Sequence, residues 1–111
     1  MMQRLFSYGT LRLEKIQLTV FGHTVEGTPD AVIGYRLKQI TITDKDAIAI
    51  SGTDQHTILD PSGNDADQVE GMVLSLTTHD LELADKYEDA AYKRVRAKLR
   101  SGGEAWVYVR A

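Results

Sequence analysis

Two segments of the chain carry residues that could do chemistry together: Tyr8-Gly9-Thr10-Leu11-Arg12 near the start and Glu88 near the end. The first segment follows the apolar pair Leu5-Phe6, which predicts a short strand running into a glycine turn. Such a turn exposes backbone N–H groups at a sheet edge, where they can hold an oxygen-rich ligand. Because short motifs recur by chance, the turn indicates a site only if a reactive side chain lies opposite it.

Glu88 is the candidate for that reactive side chain. On a helical wheel it falls within the apolar arc marked by Leu81, Leu83, Ala84 and Tyr87, so its carboxylate should point inward. A carboxylate is costly to bury unless it is hydrogen-bonded or neutral, so the position indicates either a structural partner or a reaction. The structural alternative is local pairing with a neighbouring cation, and Arg94 and Lys93 are the candidates.

Two residues just beyond the predicted helix could face the same pocket. Tyr92 and Arg94 lie within one short loop of the helix end, on the same face of a predicted strand as Arg96 and Lys98. Most of that face reads as a solvated row of charges. Tyr92 and Arg94 are nevertheless close enough in sequence to turn toward Glu88.

The elements that must position these residues follow from hydrophobic periodicity and turn signals. A helix over 14–21 should end at Gly22, and a second helix should begin with Thr capping at 77–78, where Asp80 and Glu82 favour the helix dipole, and run to about Glu88. Strands are predicted over 31–42 with a bend or bulge at Gly34, and over 47–50, 56–59, 69–76, 92–99 and 104–109. Residues 101–103 should form the last hairpin turn.

The strand over 69–76 is apolar on both faces, and this feature bears on the fold class. Such a strand suits a small closed β-barrel with a helix packed on its outside, and the interior of a sandwich is the alternative. Helices and strands together predict an α+β fold, with the barrel and the sandwich both open at this point. The 111 residues fit one domain over 1–111 with a single modest core.

Composition narrows the classes of function. A formal net charge of -3 gives no electrostatic footprint for nucleic acid or an anionic membrane, and no apolar run is long enough to span a bilayer. The chain has no Cys, which suits a reducing compartment, so a cytoplasmic location is expected. The three histidines, His23, His56 and His79, have no ligand spacing, so no metal site is expected.

The Tyr8-Gly9-Thr10-Leu11-Arg12 motif, together with Ala84-Asp85-Lys86-Tyr87-Glu88 and Tyr92-Lys93-Arg94-Val95, resembles the gamma-glutamylcyclotransferase-like superfamily. The resemblance spans nearly the whole chain in order. It looks closest to the small bacterial and γ-glutamylamine cyclotransferase branch, whose opening motif is Tyr-Gly-Thr-Leu.

That resemblance implies a small mixed β-barrel flanked by short helices, and a cofactor-free reaction on a small γ-glutamyl compound. The α-amine of the γ-glutamyl group attacks its own γ-carbonyl, releasing 5-oxoproline and a free amine. The family's opening loop, which holds the glutamyl group, corresponds to Tyr8, Gly9, Thr10 and Leu11, and its catalytic Glu corresponds to Glu88. Tyr92 and Arg94 are the further substrate-binding candidates.

The chain departs from the family pattern at Asp89, where a glycine usually follows the catalytic Glu. A second carboxylate there would raise the pKa of Glu88 or crowd an anionic substrate. The opening loop also has Thr10-Leu11 where the glutathione-pathway branch carries Ser-Asn, so that branch's specificity is not expected. Two alternatives stay open: a non-catalytic module of the same fold that binds a small ligand, and a structural or protein-interaction domain whose melting temperature no small ligand shifts.

Overall fold

The computed structural model describes residues 2–41, 55–88 and 92–110. The strands are β1 (Gln3–Ser7), β2 (Gly27–Ile33), β3 (Tyr35–Thr41), β4 (Gln55–Pro61), β5 (Gln68–Leu76), β6 (Tyr92–Lys98) and β7 (Glu104–Arg110). The helices are α1 (Glu14–Phe21) and α2 (Thr78–Glu88), and a single 3-10 turn (Thr10–Arg12) lies between β1 and α1. No helix among the described residues is long and apolar enough to cross a membrane.

The seven strands form one mixed sheet, so the α+β class and the mixed sheet are confirmed. The strand order is β2-β5-β1-β7-β4-β3, and β6 pairs with β7 in addition. β7 runs parallel to both β1 and β4, whereas the other pairs are antiparallel. The sheet contains both parallel and antiparallel strand pairs, and the helices pack on one of its faces, which is typical of an α+β fold.

The expectation of a closed barrel is wrong. The sheet is open, since within the described ranges its end strands β2 and β3 pair with β5 and β4 and not with each other. The continuous strand expected over 31–42 is broken at Gly34, whose φ of 83° redirects the chain. One isolated bridge, Val32 with Leu99, brings β2 near the end of β6 but does not extend into a ladder.

The two predicted helices are confirmed together with their ends. Gly22 caps α1 in the left-handed conformation with φ 78°, and its N–H donates to the carbonyl of Leu18 at 3.0 Å. At the start of α2 the N–H of Asp80 donates to the hydroxyl of Thr77 at 3.1 Å, which is the expected N-cap bond. The strand expected over 47–50 lies outside the described residues.

Alternation along β1 divides the core into two clusters on opposite faces of the sheet. Phe6 packs with the apolar residues of one face, including Val32, Leu59 and Val107. Leu5 points the other way and packs against the helices. On that side, Leu81 and Ala84 of α2 and Leu11 of the 3-10 turn join it. This packing brings the end of α2 to the turn that follows β1.

A glycine on β5 allows β1 to reach that turn. A Cβ built at Gly71 would collide with the backbone carbonyl oxygen of Ser7 and lie 2.8 Å from the ring of Phe6. Only a residue without a side chain permits the two strands to approach this closely. Gly71 therefore fixes the position from which the Tyr8 loop leaves the sheet.

Candidate active site

The loop after β1 is held in shape by bonds to its own backbone. Arg12 donates to the carbonyl of Gly9 twice, from its N–H at 3.3 Å and from Nε at 3.0 Å, and Leu13 donates to the carbonyl of Thr10 at 2.9 Å. The side chain of Leu11 is buried, and its carbonyl accepts from Nε2 of Gln17 on α1 at 2.9 Å. These hydrogen bonds hold the loop in one conformation, and Arg12 contributes two of them.

The backbone N–H groups of Thr10 and Leu11 are left as donors. Residues 2–41, 55–88 and 92–110 provide no acceptor for either group, whereas the N–H of Gly9 contacts the hydroxyl of Ser7 at 3.4 Å. The first N–H groups of any helical turn lack partners within the turn. Two adjacent unpaired donors on a rigid loop suit the binding of a carboxylate or a carbonyl oxygen.

Tyr8 leaves the loop and enters the sheet. Its hydroxyl donates to the carbonyl of Tyr108 and accepts from the N–H of Leu59, both at 3.3 Å. The pKa of Tyr8 is raised to about 12, chiefly by burial; the Leu59 bond lowers it, whereas the charge of Glu88 and the neighbouring Tyr92 raise it. The hydroxyl therefore stays protonated at neutral pH.

Glu88 ends α2 half-buried and makes no hydrogen bond with any described residue. Burial raises its pKa from the ordinary 4.5 to about 7. Its negative charge in turn contributes to the raised pKa values of Tyr8, Tyr92 and Tyr108, after burial in each case. The carboxyl and the three phenols are therefore close enough to act on one another electrostatically and form one cluster.

A direct bond ties the loop to the helix beside Glu88. The hydroxyl of Thr10 and that of Tyr87 are 2.8 Å apart, and either can be the donor. Tyr87, placed by the helical wheel on the apolar arc, is 41% exposed because it reaches across the rim to Thr10. The segments around Tyr8 and Glu88 therefore meet.

Arg94 faces a different carboxylate from the one that sequence reasoning considered. It donates to Asp85 from Nε at 2.8 Å and from Nη2 at 3.0 Å, and its guanidinium lies 4.5 Å from the ring centroid of Trp106. Tyr108 donates to the same Asp85 at 2.7 Å. Among the described residues, the local pairing of Glu88 with Arg94 does not occur.

Asp85 and Tyr108 are the residues of this cluster that sequence reasoning missed. Asp85 lies off the apolar arc of the helical wheel, which predicts exposure to solvent, but it is half-buried beneath β6 and β7. The available signal was the register of the last hairpin, because Arg94 and Tyr108 are directly opposite each other. Asp89, the departure from the family pattern, lies outside the described residues.

Other features of the surface are separate from this cluster. A depression of about 170 Å³ lies beside Trp106 and another of about 350 Å³ beside Asp30. Within the described part of the chain, no three side chains of the metal-binding types come together. The candidate site is defined instead by the Glu88 carboxyl and the backbone N–H groups of Thr10 and Leu11, none of which has a partner among the described residues.

Several solved structures have the same fold as this chain. The chain is similar to two Arabidopsis thaliana proteins of known solution structure, one with a TM-score of 0.74 and the other 0.72, each 17% identical. These matches cover 99% and 98% of this chain, and 62% and 68% of those chains. A structure described as a gamma-glutamyl cyclotransferase matches with a TM-score of 0.69 and 14% identity, covering 100% of this chain and 68% of that one.

The chain thus spans about 62% of the length of the first of these relatives. No curated protein matches it. A family model described as gamma-glutamyl cyclotransferase, AIG2-like, matches residues 5–111, which include the opening loop, α2 and the last two strands. The chain belongs to the gamma-glutamyl cyclotransferase, AIG2-like family.

Proposed function

We propose that the protein is a cyclotransferase that releases 5-oxoproline and a free amine from a γ-glutamyl amine or a related γ-glutamyl compound. The observation that carries this proposal is Glu88, a half-buried carboxyl with a pKa of about 7 and no described partner. A group that titrates near neutrality can both accept and return a proton at physiological pH. Family membership supplies the reaction class.

The loop supplies the binding half of the site in this proposal. The free N–H groups of Thr10 and Leu11 hold the glutamyl group and donate to the γ-carbonyl oxygen as negative charge develops on it. Because the bonds from Arg12 and Gln17 already fix the loop, little reorganisation is required when charge appears. Tyr8 and Tyr92 form the wall beside the substrate, as neutral phenols.

The proposed proton transfers balance with a single carboxyl group. Ionised Glu88 takes a proton from the substrate's α-ammonium group, and the freed nitrogen attacks the γ-carbonyl carbon, forming the new C–N bond of the ring. Glu88 then returns the proton to the leaving nitrogen as the original C–N bond breaks. The ionised carboxylate takes the second proton that the ring nitrogen must lose and passes it to the released amine, which departs as an ammonium ion. Both reacting groups belong to one molecule, so holding a folded conformer provides much of the acceleration.

In this mechanism Arg94 binds Asp85 and does not contact the substrate. Two of its nitrogens are engaged by that carboxylate and its face by Trp106. We therefore assign it to the wall of the site, behind the tyrosines. The identity of the leaving amine is left to the assay.

The test is to incubate the protein with a panel of γ-glutamyl amines and γ-glutamyl dipeptides and to measure 5-oxoproline. We expect release by the natural protein and a loss of about 10²-fold or more in Glu88→Gln, the usual contribution of a general acid–base group. Glu82→Gln is the matched control, because Glu82 is exposed on the same helix. Activity that survives in Glu88→Gln would contradict the mechanism, and binding of 5-oxoproline without turnover would identify a binding module instead.

A further inference from the structure

The guanidinium of Arg94 is held by neighbours on two elements, α2 and β7. Asp85 on α2 accepts two of its N–H groups in a bidentate pair, at 2.8 and 3.0 Å. Trp106 on β7 offers its ring at 4.5 Å, and Arg96 lies 4.8 Å from the centroid of the same ring. A bidentate Arg–carboxylate pair fixes both distance and direction. Arg94 therefore has one defined position although its strand is near the surface.

That position matters because Asp85 precedes Glu88 by three residues on the same helix. Residues at this spacing are neighbours on a helix surface, with Cβ atoms about 5–6 Å apart. Tyr108 contacts Asp85 directly, and the charges of Glu88 and Arg94 both act on its pKa. Arg94 and Glu88 thus both act on Tyr108, and the cation is bound to Asp85.

The groups that face Glu88 come from four elements. None of them is a described cation in contact with it, and burial is the cause of its raised pKa. The phenols and charges around it belong to the end of β1, to α2, to β6 and to β7: Tyr8, Asp85, Tyr92, Arg94, Tyr108 and Arg110. Arg110 acts on Tyr92, its cross-strand partner, and lowers that residue's pKa.

We propose that Asp85 is a positioning residue that holds the guanidinium of Arg94 away from Glu88, so that no cation among the described residues pairs with Glu88. The same carboxylate also accepts a hydrogen bond from the Tyr108 hydroxyl, so Asp85 has one partner on β6 and another on β7. The inference rests on the proposed function for its kinetic consequence alone. Which carboxylate Arg94 binds does not depend on that function.

Asp85→Asn tests the inference, because Asn keeps the shape and can still accept the Tyr108 hydroxyl but removes the charge that holds Arg94. An unpaired guanidinium near Glu88 favours the ionised carboxylate and lowers its pKa by about one unit or more. The measurement is an NMR titration of ¹³C-labelled Glu carboxyl groups, with the Glu88→Gln spectrum assigning the signal. A Glu88 pKa that is unchanged or raised in Asp85→Asn would overturn the proposal.

A double variant separates the freed cation from the mere loss of a negative charge. In Asp85→Asn/Arg94→Met both charges are absent, so the pKa of Glu88 should return toward its natural value. If the double variant titrates like Asp85→Asn, the effect comes from the lost carboxylate and the proposal fails. Asp85→Glu keeps a carboxylate for Arg94 and should leave Glu88 near its natural pKa, and a fall of about one unit there would also overturn it.

The kinetic readout distinguishes this inference from the proposed function. If Glu88 is the catalytic base, the acid limb of the kcat/KM profile should move with its pKa in Asp85→Asn. A pKa that moves in the titration while that limb stays in place would uphold the role of Asp85 and contradict the role of Glu88. The titration needs no substrate, so it gives an answer even for a protein without turnover.

Discussion

Replacing Glu88 by Gln should make the protein more stable at neutral and alkaline pH. The buried carboxyl titrates near pH 7 instead of 4.5. Between these values the folded protein holds a proton that the unfolded chain has lost, so stability falls as pH rises and the deficit is complete above pH 7. A difference of about 2.5 units at about 1.4 kcal/mol each amounts to about 3 kcal/mol.

The assay is urea unfolding of the natural protein and Glu88→Gln at pH 4.5 and pH 8. Gln is nearly isosteric with the protonated acid, so we expect the two proteins to be similar at pH 4.5. At pH 8 the variant should exceed the natural protein by up to about 3 kcal/mol. Comparing the two proteins at each pH cancels the titration of every group that they share. An equal difference at both pH values would refute the reasoning, because it would mean that ionisation of Glu88 does not oppose folding.

Three further predictions follow from neighbouring contacts. Gly71→Ala should destabilise the fold by about 1–3 kcal/mol in urea unfolding, because its Cβ meets backbone that cannot move; an unchanged midpoint would contradict the close approach. Thr10→Val and Tyr87→Phe should each raise KM about 2- to 10-fold by freeing the loop, and the double variant should be no worse than either single one; additive losses would mean that the two hydroxyls act separately. His23 bonds the buried Asp80 and the Thr24 carbonyl, and these bonds raise its pKa, so His23→Gln should lower the melting temperature at acid pH and progressively less as pH rises. His79→Gln, exposed on the same helix as Asp80, is the control for that series, and a loss independent of pH would argue against the ion pair.

The local elements of the site could be predicted from the sequence because their signals are local. The Thr77 cap, the Gly22 cap and the inward side of α2 follow from residues within one or two turns of each other. The contact between the Tyr8 loop and the helix end at Glu88 joins residues far apart in sequence. Hydrophobic periodicity does not predict such a contact, and the pairing of the two segments came from the family resemblance. Helical geometry gives the angle of Glu88 around its axis but not what lies in that direction.

The errors arose where several elements act on one position. Gly34 marked a bend or bulge in one predicted strand, but the sequence does not say that the chain passes there from β2, at one end of the strand order, to β3, at the other. Asp85 is polar and lies off the apolar arc, so the wheel places it in water. Its partial burial comes from Arg94 and Tyr108 on two strands that follow it in the chain.

The two carboxylates at the end of α2, Asp85 and Glu88, differ in their partners, and this difference distinguishes the site from a helix end at which every carboxylate forms a salt bridge. Asp85 and Glu88 lie on neighbouring positions of one helix surface, yet one has a cation and a phenol and the other has neither among the described residues. A carboxyl that is needed as a base near pH 7 must be denied the cation that would otherwise favour its ionised form at lower pH. Leaving Glu88 unpaired costs stability, and holding Arg94 on Asp85 maintains that condition. In the proposed mechanism the motif around Glu88 supplies the base, while two residues outside the motif, Tyr108 and Trp106, contact Asp85 and Arg94 and help to hold them together.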